Sequence, residues 1–142
     1  MPVDDLARSD VVTATEETPV SDLGQTMANE TVGSVVIVDD EQPVGIVTDR
    51  DLALQCVAEK GDTSDQTAEN VMSEDLETIE RTAGFFEAVD LMSEKGIRRL
   101  PITDDTGELV GILTSDDLTT LLADEQQGLS KVIEVQRPPY NE

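Results

Sequence analysis

The chain has 142 residues, with 9 Lys or Arg against 32 Asp or Glu and no His, for a formal charge of −23. A field of that sign repels nucleic acid and anionic membrane surfaces, so neither is an expected partner. With no His and with Cys56 alone, thiol–imidazole catalysis, the usual zinc sites and an internal disulfide are excluded, and the chain reads as no enzyme.

Met1-Pro2-Val3-Asp4-Asp5 lacks the basic region and apolar run of a signal sequence, and no segment reaches transmembrane length, so a cytoplasmic location is expected. Val11-Val12-Thr13-Ala14 reads as an opening strand. Thr18-Pro19 has the pattern of an N-cap followed by Pro at the first helical position, and Val20, Leu23 and Met27 then make an apolar stripe at helical spacing. Val35 to Val38, a turn at Asp39 to Pro43, and Val44 to Val47 read as a hairpin whose nearly continuous apolar runs need cover on both faces. A second helix is expected from Asp49 to about Glu59, with Cys56 a packed thiol among Leu52, Leu54 and Val57. Lys60 to Thr67 is linker-like.

The same order then returns. Leu76 to Ile79 reads as a strand, and about Ala83 to Glu94 as a helix with Phe85, Val89 and Met92 inward. Leu100 to Thr103 and Leu109 to Leu113 make the hairpin, and Ser115 to about Asp124 the last helix. Pro101 has no ladder donor, which predicts an unpaired edge on its strand. Past Gln126 a tail is expected, where Val132, Ile133 and Val135 add a strand or a partner contact until Pro138-Pro139 ends regular structure.

The recurrence holds residue by residue. Asp10, Thr13, Met27 and Ile37 recur 65 positions later as Asp75, Thr78, Met92 and Ile102. After a turn one residue longer in the second copy, Val44, Gly45, Ile46, Thr48, Asp51 and Leu52 recur as Val110, Gly111, Ile112, Thr114, Asp117 and Leu118. A hairpin tolerates such a length change. Neither copy is large enough to bury its apolar face alone, so one shared core is expected. The units are bounded at 3–60 and 68–125, with a linker at 61–67 and a tail at 126–142.

In both copies a strand runs into a helix through Thr-x-x-Asp: Thr48 with Asp51, and Thr114 with Asp117. This pattern is a capping box, which needs no ligand. The same geometry presents free N–H groups to a phosphate and a carboxylate to a ribose diol. Both readings stay open on the residues alone.

The duplicated unit, with Gly-Ile-Val-Thr-Asp-Arg-Asp at 45–51 and Gly-Ile-Leu-Thr-Ser-Asp-Asp at 111–117, resembles a tandem pair of CBS domains, a Bateman module, over residues 3 to 125. The resemblance implies an α/β (α+β) fold in which two β-α-β-β-α repeats pack through their sheets with pseudo-two-fold symmetry. It leaves two clefts for adenosine-containing ligands: AMP, ADP, ATP or S-adenosylmethionine, with no other cofactor. Thr48, Asp51, Thr114 and Asp117 carry over as ribose and phosphate contacts, and Thr13-Ala14 and Thr78-Ile79 as the base-lining strands. Basic residues at the hairpin start are present as Arg98-Arg99 in copy two and replaced by Gly33-Ser34 in copy one, while Arg50 in copy one faces Asp116 in copy two. Pro101 and Ile112 complete the expected set. Two unequal sites follow, one grouping Thr114, Asp117, Arg98 and Arg99 with the first opening strand, the other grouping Thr48, Arg50 and Asp51 with the second.

The resemblance further implies a regulatory module that signals to an unknown partner protein, and a homodimer formed through helices near Leu52, Leu54, Leu118, Leu121 and Leu122. The alternative is a scaffold that dimerises without ligand, supported by Gly33-Ser34 and Asp116. The dispersed acids and only three Lys (Lys60, Lys95, Lys131) suit a salt-rich cytoplasm and point to a halophilic archaeal source; an ordinary acidic domain is the alternative.

Overall fold

A computed structural model describes residues 2–58, 65–73 and 75–136. The elements of the first copy are β1 (Thr13–Ala14), α1 (Val20–Glu30), β2 (Ser34–Asp39), β3 (Gln42–Thr48) and α2 (Asp49–Ala58). A short helix α3 (Ala68–Val71) precedes β4 (Ile79–Glu80), α4 (Phe85–Lys95), β5 (Arg99–Thr103), β6 (Leu109–Thr114) and α5 (Ser115–Gln136). Each copy builds a three-stranded sheet, β1-β2-β3 and β4-β5-β6, with the first strand parallel to the central one and the third antiparallel. Val36 faces Ile46 and Pro101 faces Ile112, so the registers match position for position. The central strands are covered on both faces, as their apolar runs require: Val35, Val36 and Ile37, and Leu100, Pro101 and Ile102, are all buried.

The two cores exchange material. Val3, in a 3-10 turn at Val3–Asp5, is buried with Ile79, Ala88, Met92, Leu100, Ile102 and Leu113 of the second copy. Ala68 of α3 is buried with Leu23, Met27, Val35, Ile37 and Val47 of the first. The segments behind them pair on the outer strands of the opposite sheets. Arg8 exchanges two backbone hydrogen bonds with Ile112 (3.1 and 3.0 Å), and Ser73 N donates to Ile46 O (3.1 Å). Neither half closes its core without a segment that precedes the other's opening strand.

This crossing explains the recurrent glycine of each third strand. A Cβ added at Gly45 would lie 2.5 Å from Met72 Sδ and 2.9 Å from its Cγ, and one added at Gly111 would lie 3.0 Å from Arg8 O. Only a residue without a side chain lets the segment cross. Ile112 turns its backbone N–H and C=O to Arg8 and so away from Pro101, whose missing donor costs no bond to β6. Pro101's free edge is therefore confined to the side of β5 that β4, reaching only Ile102 and Thr103, leaves open.

Several expectations are corrected. Thr18 does not cap α1: Pro19 is the N-cap, while Thr18 Oγ1 accepts Thr15 N at 3.1 Å and Thr18 O accepts Ala68 N at 2.8 Å from the crossing segment. The inward face of α4 is Phe85, Ala88 and Met92, and Val89 is 36% exposed. Helix α5 does not stop near Asp124 but continues to Gln136, so Val132, Ile133 and Val135 lie on a helix and not on a strand. Leu52 packs against the first core and Leu118 is buried in the second, whereas Leu54 and Leu122 are 51% and 56% exposed. Residues 61–64 of the linker expected at 61–67, Pro138-Pro139 and the side chain of Cys56 lie outside the described residues. Among the described residues no helix is long and apolar enough to cross a membrane.

Candidate functional site

Both Thr-x-x-Asp segments form reciprocal caps. Thr48 N donates to Asp51 Oδ2 (2.9 Å) and Asp51 N to Thr48 Oγ1 (3.1 Å); Thr114 and Asp117 repeat the pair at 3.1 and 3.2 Å. The cap engages one carboxylate oxygen and leaves the other for a ligand, so the structural and functional readings are compatible. In copy two that second oxygen, Asp117 Oδ1, meets Arg8 Nε at 3.4 Å, with the Asp117 side chain 14% exposed. That oxygen is therefore already beside a cation, and Asp117, which does not itself line the neighbouring cavity, is tied to it through Arg8.

A cavity of about 610 Å³ opens between the two halves at this point, within the size range of small-molecule sites. One wall is apolar, made of Val11, Val12, Val36 and Ile112, a surface suited to the face of a planar base. The end of α1 and the start of the first hairpin supply Glu30, Gly33 and Ser34, and the second copy supplies Arg99, Thr114 and Asp116. Arg8 and Asp10 close the rim from the crossing segment. Arg99 reaches across from β5 to lie over Gly33, where an added Cβ would be 3.1 Å from its Nη2 and 3.5 Å from Asp49 Oδ2. The glycine expected as a weakness of copy one makes room for the arginine of copy two.

Of the expected residues, Arg99, Ile112 and Thr114 border this cavity together. Thr13 and Ala14 form β1, and the residues just ahead of them line the cavity instead. Arg98 is exposed and outside the lining; its carbonyl accepts Ser115 N at 2.8 Å, as Gly33 O accepts Asp49 N at 3.0 Å. Arg50 is exposed on the first turn of α2 beside the Thr48–Asp51 cap. Thr78 is exposed just ahead of β4, and Ile79 is buried in the second core. Pro101 is buried at the position matching Val36, which is itself buried and still borders the cavity. Arg8, Asp10 and Glu30 are not among the expected site residues: Arg8 precedes the first matched pair of the repeat, Asp10 recurs as Asp75 without marking a site, and Glu30 sits in no motif.

The family model for the CBS domain matches residues 3–56 and 68–124. The chain belongs to the CBS-domain family. It carries two CBS domains, the tandem arrangement of a Bateman module. An uncharacterized protein of Methanopyrus kandleri, MK0525, is 40% identical over 117 residues, 82% of this chain; the chain spans 60% of that relative's length. The CBS domain pair of protein MJ0100, solved with 5′-methylthioadenosine and S-adenosyl-L-methionine, superposes with a TM-score of 0.78 at 25% identity, covering 88% of this chain and 98% of that one. The CBS domain protein PAE2072 of Pyrobaculum aerophilum, solved with AMP, superposes with a TM-score of 0.75 at 26% identity, covering 83% and 90%. Solved CBS pairs of this fold thus hold adenosine compounds.

Proposed function

We propose that this CBS pair is a non-catalytic regulatory module that binds an adenosine-containing ligand, such as AMP, ADP, ATP or S-adenosylmethionine, between its repeats and passes its occupancy to a partner protein. The observation that carries the reading is the cavity itself: an apolar wall sized for a base stands opposite a strand end where Thr114 and the capped Asp117 start a helix. Asp117 Oδ1, outside the cap and paired with Arg8, suits a ribose diol once that pair opens, and the α5 N-terminus with Arg99 suits a polar 5′ group. AMP in PAE2072 and S-adenosylmethionine in MJ0100 support the ligand class.

Transmission follows from where the helices begin. The 22 residues of α5 start at the cleft and run about 33 Å, so a small tilt at Thr114 moves Leu129, Val132 and Ile133, all more than half exposed, by a larger distance. A second copy is the nearest candidate to receive that motion. Exposed Leu54 and Leu122, and the groove of about 320 Å³ that Val89, Met92, Leu118 and Leu122 form between α4 and α5, offer it an apolar face.

Isothermal titration of AMP and S-adenosylmethionine into the wild type, Asp51→Ala and Asp117→Ala tests the reading. Saturable binding by the wild type, weakened at least fivefold in one or both variants, is expected. Affinities unchanged in both variants contradict the assignment of these carboxylates.

A further inference from the structure

The pseudo-symmetry allows the lining of the Thr114 cavity to be compared one position at a time with the matching positions of the other copy, and several of them differ in charge. Around the cavity at Thr114, the acids Asp10, Glu30 and Asp116 face the arginines Arg8 and Arg99. Arg8 is already paired with Asp117, so Arg99 stands as the one unpaired cation among the lining residues, against three acids. A phosphate entering here meets net repulsion.

At three of the matched positions of the other copy the charge turns positive, while Asp10 is kept as Asp75 and Arg8 is replaced by Ser73. Glu30, the last residue of α1, corresponds to Lys95, the last residue of α4. Gly33, whose carbonyl accepts the first N–H of α2, corresponds to Arg98, whose carbonyl accepts the first N–H of α5. Asp116, second in α5, corresponds to Arg50, second in α2. Two acids and a glycine are therefore exchanged for three cations. Lys95 is partly neutralised by Glu77 at 3.6 Å; among the described residues Arg50 and Arg98 form no ion pair. Arg50 lies on the first turn of α2 and Arg98 at the strand end that receives the first N–H of α5; at positions matching Asp116 and Gly33 of the cavity lining, these two uncommitted arginines turn the local charge positive in a chain with a net charge of −23.

We propose that the two pseudo-symmetric faces take adenosine ligands of opposite 5′ charge: the Thr114 cavity one that is neutral or cationic there, and the matching face at Thr48 an anionic, phosphate-bearing one. This rests on the adenosine reading above and narrows it. The chain then reports on two metabolite classes through two cores that the crossing segments tie together.

The test compares AMP with 5′-methylthioadenosine, which share the nucleoside and differ in a phosphate against an uncharged thioether. Both are titrated calorimetrically into the full chain and into Asp116→Arg and Arg50→Asp, with Asp116→Asn and Arg50→Ala as milder partners should a reversal impair folding. Removing Asp116 should shift preference toward AMP, and removing Arg50 should shift it toward 5′-methylthioadenosine, about fivefold to tenfold for the reversals and less for the neutral variants. Preference moving less than twofold in all four variants, or moving the opposite way, overturns the charge assignment while leaving adenosine binding in place. If the wild type binds neither compound, the assignment falls together with the functional reading.

Discussion

Gly45→Ala tests the exchanged architecture at its tightest point. The new methyl would lie 2.5 Å from Met72 Sδ and 2.9 Å from Cγ, against a comfortable carbon separation of about 3.5–4.0 Å, and Met72 Cβ at 3.1 Å limits what a rotamer change can relieve. Met72 packs against the first core and precedes Ser73, which bonds to Ile46. Overpacking of this kind costs about 1–3 kcal/mol, and a lost Ser73–Ile46 bond adds about 1 kcal/mol. Urea unfolding in molar KCl would measure it. The decisive control is the double variant Gly45→Ala/Met72→Ala: if the clash with Met72 is the cause, the pair loses less than the sum of the single losses by about 1 kcal/mol or more. A Gly45→Ala loss under about 0.5 kcal/mol, or strict additivity, would refute the close crossing as the reason for glycine here.

Four further outcomes are expected. The hairpin tips of the two copies meet, Leu109 N donating to Glu41 O at 2.9 Å, and the Glu41 charge holds the Glu108 carboxyl above the usual carboxylate range. The folded state therefore takes up that proton more readily than the unfolded chain, so this contribution to stability rises as pH falls through the window just above the ordinary value, and Glu108→Gln should flatten that rise in pH-dependent melting curves. Glu41→Gly removes both the repulsion and a left-handed backbone (φ 67°) on a non-glycine residue, and should stabilise by about 1 kcal/mol in urea titration. Melting temperature should climb from 0.1 to 2 M KCl, since screening shortens from about 10 Å at 0.1 M to about 3 Å at 1 M and relieves self-repulsion; a flat or falling curve contradicts the halophilic reading.

Light scattering should find a dimer for the wild type and a smaller mass for Leu122→Glu, whose side chain is 56% exposed beside the α4–α5 groove; an unchanged mass places the contact elsewhere.

The topology was legible because period and spacing encode it: two copies at an offset of 65, each with a hairpin whose partners Val36–Ile46 and Pro101–Ile112 fall in the same register. The Thr-x-x-Asp caps were legible because their chemistry is local. The exchange of the segments at Val3–Arg8 and Ala68–Ser73 was not, since it rests on backbone pairing at single residues and on small buried groups that leave no periodicity. Arg8 entered the cleft by that route. The length of α5 was hidden by Gln126-Gln127-Gly128, where glycine suggests an end, although Leu129, Lys131, Glu134 and Gln136 favour continuation. Arg98 was grouped with the Thr114 cleft because it adjoins Arg99, but neighbours on an extended chain point to opposite sides, and only Arg99 reaches the cavity.

Amide chemical-shift mapping of the full chain during titration with 5′-methylthioadenosine and then AMP addresses ligand binding between the repeats most directly. The account predicts saturable shifts that begin at Val11, Val12, Gly33, Ser34 and Thr114 and extend, with AMP, to Thr48, Arg50 and Arg98. Shifts confined to the groove at Val89, Leu118 and Leu122, or none at saturating concentrations of either compound, would contradict it.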